Sequence, residues 1–149
     1  MTFVPADFEH EDLLARLTGA GFDPGERTLF LWEGVTMYLD RAAVEETLRK
    51  IASTAQGSVV AFDYFTTEAL ESRALYWRYG RAATNAAGEA LKFGVDSTPP
   101  SRDRLAELLR SCGLTLCDQR TLGADTQTRR AWGGFATATV ETSSWLGSL

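Results

Sequence analysis

Two short, unbroken apolar runs bracket one amphipathic stretch, and that arrangement constrains the fold of this chain more than any other feature. Thr28-Leu29-Phe30-Leu31-Trp32 closes at Glu33-Gly34, and Val59-Val60-Ala61-Phe62 closes at Asp63-Tyr64. Between them Val44, Leu48 and Ile51 recur at helical spacing, with Glu45, Glu46, Arg49 and Lys50 on the other side and Asp40 in position to cap. Apolar runs of strand length predict strands covered on both faces, hence parallel strands joined by a crossover helix.

The flanking sequence extends this pattern. Thr2 to Val4 predicts a short opening strand ending before Asp7, and Glu11 to Leu17 a helix stopped at Gly19 and Gly21. Thr66 to Gly88, rich in Ala, Glu and Arg, predicts one or two helices broken near Gly80 that form a mobile or substrate-facing cover. A helix from about Arg102 to Ser111 presents Leu105, Leu108 and Leu109. Leu114 to Leu122 and Trp132 to Glu141 read as strands of an antiparallel hairpin joined by the polar segment Gly123 to Arg130. The expected class is α/β, three-layered, with helices on both faces of a parallel sheet and the hairpin as an antiparallel edge. No break in composition divides residues 1–141, and residues 142–149 read as a frayed tail.

A chain of 149 residues that is 44% hydrophobic can bury one core without disulfides or metals. Its net charge of -5 is the wrong sign for affinity built on phosphate neutralisation, so nucleic acid is not an expected partner. No stretch approaches the roughly 18 apolar residues of a membrane span, and residues 1–7 lack a basic and apolar leader, which points to the cytoplasm. Cys112 and Cys117 have neither redox nor zinc spacing and read as reduced core thiols; no His or Cys cluster suits a metal.

In an open α/β sheet the ligand lies beyond the carboxyl ends of the strands, so polar residues there are the candidates for chemistry. They are Asp7, Glu33 and the pair Asp63-Tyr64. Such carboxylates accept from hydroxyls, amines or a cationic centre, or else cap the next helix; for Glu33 the ligand reading is stronger, because Glu caps poorly and Gly34 lets backbone approach a ligand. Gly19 to Gly25 imitates a dinucleotide-binding loop, but a helix precedes it, Pro24 interrupts it and a strand follows. His10, beside Glu9 and Glu11, reads as solvated, and the Trp77 to Arg81 segment as either an acidic-substrate contact or an amphipathic surface.

Val4-Pro5-Ala6-Asp7-Phe8, Gly21-Phe22-Asp23-Pro24, Trp32-Glu33-Gly34-Val35-Thr36-Met37-Tyr38-Leu39 and Gly57-Ser58 together resemble the leucine carboxyl methyltransferase-like family, in its bacterial S-adenosylmethionine-dependent branch. The resemblance runs from about residue 3 to residue 140, and Glu-Gly-x-x-Met-Tyr-Leu is its most specific block. It implies a Rossmann-like class I methyltransferase fold with S-adenosylmethionine as cofactor. Asp7 and Phe8 would meet the adenine, Glu33 the ammonium at the methionine end, and Tyr38 would line the pocket near the transferred methyl. Family members carry two further strands, a glycine-rich loop and a ribose-binding acid ahead of the point where this chain starts. The chain therefore resembles the carboxyl-terminal half of such an enzyme, truncated at the amino terminus. Two readings follow. One is O-methyl transfer to a carboxylate or hydroxyl of a small molecule or protein; the other is a non-catalytic remnant or the partner-binding half of a split enzyme. A carboxylate acceptor needs no base, whereas a hydroxyl acceptor needs one from Tyr38, Tyr64, His10 or an acid. The sheet edge and helical faces left bare imply self-association or a complementary amino-terminal half.

Overall fold

The computed structural model describes residues 1–141; the predicted tail, residues 142–149, lies outside the described residues. Four strands form one sheet in the order β1-β2-β4-β3, with β1 at Leu29–Trp32, β2 at Val59–Phe65, β3 at Leu114–Leu122 and β4 at Gly133–Val140. β1 and β2 are parallel, and α2 (Arg41–Ala52) crosses between them as the apolar pattern implies. β4 then inserts antiparallel beside β2, leaving β3 rather than β4 at the far edge. Among the described residues one strand pair is therefore parallel, because the hairpin enters the sheet through its return strand.

Alternation explains which face is filled. Val60, Phe62 and Tyr64 of β2 and Ala136, Ala138 and Val140 of β4 are buried against Val44, Leu48 and Ile51 of α2 and Leu105 and Leu109 of α5 (Ser101–Ser111). Charge occupies the outer face of α2, where Glu45 pairs with Arg41 and Arg49. β2 and β4 approach closely because Gly134 faces Tyr64: a Cβ there would lie 2.8 Å from both the tyrosine Cζ and the Arg120 carbonyl. α1 (Leu13–Gly19) lies beside α2, tied by Lys50 to Asp12 at 3.4 Å.

The opposite face is sparsely covered. Leu29 and Leu31 are 70% and 72% exposed, so β1 is not buried on both sides as its sequence suggests. α4 (Leu75–Ala86) meets that face at Phe65, where Trp77 packs edge-on.

Several local expectations change. Residues 1–7 form no strand, because three residues of good propensity find no ladder partner. The break in the fourth segment falls at 72–74, between α3 (Thr67–Glu71) and α4, and Gly80 sits inside α4. A glycine costs a helix only about 1 kcal/mol. Meanwhile the Arg81 guanidinium donates to the Ala69 and Ser72 carbonyls, fixing the angle between the two helices. Cys112 is buried but Cys117 is exposed, turned out by the register shift between Leu116 and Asp118. β2 runs on to Phe65, which places Asp63 and Tyr64 within the strand rather than beyond it.

Candidate functional site

The carboxyl end of β1 is built from local constraints. Gly34 takes a left-handed φ of 71°, and its N–H donates to Asp63 Oδ1 at 2.8 Å. The Thr36 hydroxyl donates to the Asp63 carbonyl, also at 2.8 Å. One residue of β2 therefore latches the connection that carries Glu33 to Tyr38, which supports the cap-or-turn reading of Asp63. Thr36 and Met37 are buried in a single 3-10 turn, Thr36–Tyr38, and Tyr38 is half-buried. Glu33 remains exposed and borders a groove of about 220 Å³ on the open sheet face, together with Leu31, Asp63, Arg120 and Phe135.

The amino-terminal segment reaches the same strand end by aromatic stacking. Phe8 lies on Trp32 with ring centroids 5.8 Å apart and planes 18° from parallel. Trp32 is 6% exposed, and its Nε1 has no hydrogen-bond partner. Asp7 and Glu33 therefore each neighbour one member of the stacked pair. The Asp7 carboxylate accepts from the Glu9 N–H and pairs with His10 Nδ1, each at 2.9 Å. Those contacts hold its carboxyl below the ordinary 3.8, the Glu9 N–H contributing most. Glu9 is held low chiefly by Lys92, 2.9 Å away, and Lys92 also reaches Asp40 at 3.7 Å. Phe8 faces a second cleft, of about 600 Å³, with Glu9, Asp40, Thr47 and Lys50.

Phe8 and Trp32 thus meet at the carboxyl end of β1 on the filled face of the sheet, whereas Glu33 borders the separate groove on the open face and Asp7 is exposed. Tyr38 follows within one short turn. Tyr64 is 1% exposed; its hydroxyl accepts from Gln119 Nε2 at 2.6 Å, and burial raises its pKa. It therefore stands apart from the strand-end rim. Arg120 and Phe135 escaped sequence reasoning, although the alternation of β3 and β4 places both on the Glu33 face. The register sets Asp63 opposite Phe135 and Phe135 opposite Arg120.

The fold is that of the Rossmann-like class I methyltransferases. The chain superposes on a DUF574 family protein from Streptomyces avermitilis with a TM-score of 0.54 at 14% identity, covering 84% of this chain and 50% of that one. With an O-methyltransferase family protein from Burkholderia thailandensis the TM-score is 0.51 at 10% identity, covering 77% and 30%. With the methyltransferase CalO6 it is 0.50 at 16% identity, covering 79% and 36%. The chain thus spans half or less of the length of these structures. Residues 1–52 match the family model of leucine carboxyl methyltransferase, in agreement with the sequence resemblance over that stretch. Asp7, Phe8, Glu33 and Tyr38 all fall within it. No curated protein matches the chain.

Proposed function

We propose that this chain contributes one side of an S-adenosylmethionine-dependent methyltransferase site, acting in O-methyl transfer to a carboxylate or hydroxyl of a small molecule or protein. The observation that carries the reading is the Phe8–Trp32 stack, which holds an aromatic ring at the carboxyl end of the parallel strand that Glu33 follows. The donor set suits the cofactor. An exposed carboxylate with no ion-pair partner among the described residues can receive an ammonium group, and a second carboxylate, kept ionised, can accept from an aromatic amine.

The cofactor brings a methyl group already activated on a sulfonium, so alignment and exclusion of water are the main demands on the protein. Glu33 would pair with the ammonium, Asp7 would accept from the adenine amine, Phe8 would pack beside it and Tyr38 would line the wall nearest the methyl. A carboxylate acceptor reacts without a base. A hydroxyl acceptor needs a base, and burial of Tyr64 leaves Tyr38, His10 or an acid for that role.

Calorimetric titration with S-adenosylmethionine tests the reading. Weak binding that disappears in Glu33→Gln supports it. Binding of unchanged strength in that variant would overturn the role of Glu33.

A further inference from the structure

Glu9 and Lys92 join stretches of chain that are far apart in sequence, and the joint sits beside Phe8. The stretch after α4 runs from the turn after β1 to the end of β2. The Lys92 and Phe93 N–H groups donate to the Met37 carbonyl at 2.8 and 3.3 Å, and the Val95 N–H donates to the Phe65 carbonyl at 2.9 Å. The Thr67 N–H donates back to the Val95 carbonyl at 2.8 Å. Phe93 and Val95 are buried, and the Arg41 guanidinium lies 5.3 Å from the Phe93 ring centre. Gly94 allows the close crossing, since a Cβ there would lie 2.8 Å from the Thr66 carbonyl carbon. The backbone of Lys92 is therefore anchored, and its exposed side chain starts from a fixed point.

From that point the Lys92 ammonium reaches Glu9 Oε1 at 2.9 Å and Asp40 Oδ1 at 3.7 Å. Glu9 Oε1 also accepts from the Asp40 N–H at 3.2 Å. A single carboxylate oxygen thus takes one donor from the stretch after α4 and another from the residue that opens α2. This bears on Phe8, because an offset ring stack fixes separation more firmly than sideways position. Pinning the next residue removes the slide. An exposed ion pair adds little to global stability, so the contact acts on local order rather than on whether the chain folds. We propose that Lys92 is a positioning residue for the cofactor, acting through Glu9 to hold Asp7 and Phe8 in place beside the turn that carries Tyr38. The inference rests on the proposed methyltransferase site.

Titration of the whole chain with S-adenosylmethionine by NMR is the test, with thermal unfolding as the control for the fold. Lys92→Met should raise the dissociation constant about three- to fivefold, the size of one exposed charge pair, and leave the unfolding midpoint near that of the wild type. Lys92→Arg should restore binding. Glu9→Gln keeps an acceptor for the Asp40 N–H but loses the charge, so it should weaken binding equally, and the double variant should be no weaker than either single one. In the free chain, Lys92→Met should speed amide exchange at residues 7–12 while β2 stays protected. Unchanged binding or unchanged exchange in Lys92→Met would overturn the proposal. A double variant weaker than both singles would overturn it too, since Lys92 would then touch the ligand itself. A wild type that does not bind S-adenosylmethionine would instead overturn the methyltransferase reading, and the proposal with it.

Discussion

Asp63 Oδ1 accepts a 2.8 Å hydrogen bond from the Gly34 N–H, and that bond joins the residue after Glu33 to the neighbouring strand across 29 positions of sequence. Asp63→Ala should lower stability by about 1–2 kcal/mol, the range for losing a charge-assisted acceptor at a partly open site. Gly34→Ala, at φ 71°, should cost about 1–2 kcal/mol through backbone strain. Urea unfolding of both variants checks these values. Near-zero effects would show that the β1 connection is not held this way.

Phe8→Ala should detach the amino-terminal segment. The stack on Trp32 and its partial burial together are worth about 1–3 kcal/mol. Hydrogen exchange should speed up over residues 1–12 while β2 stays protected, and Trp32 fluorescence should move to longer wavelength. Unchanged exchange in that segment would show that other contacts fix it.

How much of this was legible depended on whether a signal was local. The crossover from β1 through α2 to β2 could be read because Val44, Leu48 and Ile51 follow one helical face and the strands have strand length. The same apolar runs misled about coverage. Leu29 and Leu31 face outward, and nothing within the run of five residues records what lies over them. Thr2 to Val4 has strand propensity without a partner, and partners are not written locally. Gly80 was a poor guide to the helix break, since Arg81 and the carbonyls of Ala69 and Ser72 set it. At the candidate site, Glu33 was legible from its position after β1 and its following glycine. Arg120 and Phe135 arrive from strands about a hundred residues away through a register that no local pattern encodes.

Tyr64 gives a pH dependence whose sign follows from burial. Its pKa is raised above the ordinary 10.0, chiefly by desolvation, so the folded chain holds the phenol proton more tightly than the unfolded chain. That contribution is complete below the unfolded value and is lost as pH rises through the folded one. Wild-type stability should therefore fall above about pH 10, and Tyr64→Phe should lose this component and show a flatter alkaline limb. An identical alkaline limb in both proteins would refute the assignment.

Asp7 should titrate below 3.8, and His10→Ala should bring it only part of the way back, because the Glu9 N–H is the larger cause. Any stability it contributes is present above the unfolded value and is lost as pH falls through the folded one. Carboxyl-carbon NMR across the acid range reads the midpoint directly. Full restoration of the ordinary value in His10→Ala would reverse the order of the two causes.

In the proposed site Asp7, Phe8 and the segment from Glu33 to Tyr38 would contact one cofactor. An NMR titration of the labelled chain with S-adenosylmethionine measures this most directly. Amide signals of Asp7, Phe8, Glu33, Gly34 and Tyr38 should move together along one binding curve, and Glu33→Gln should abolish the movement at Glu33 to Tyr38. Perturbations confined to other residues, or separate curves for the Asp7–Phe8 and Glu33–Tyr38 groups, would contradict the account.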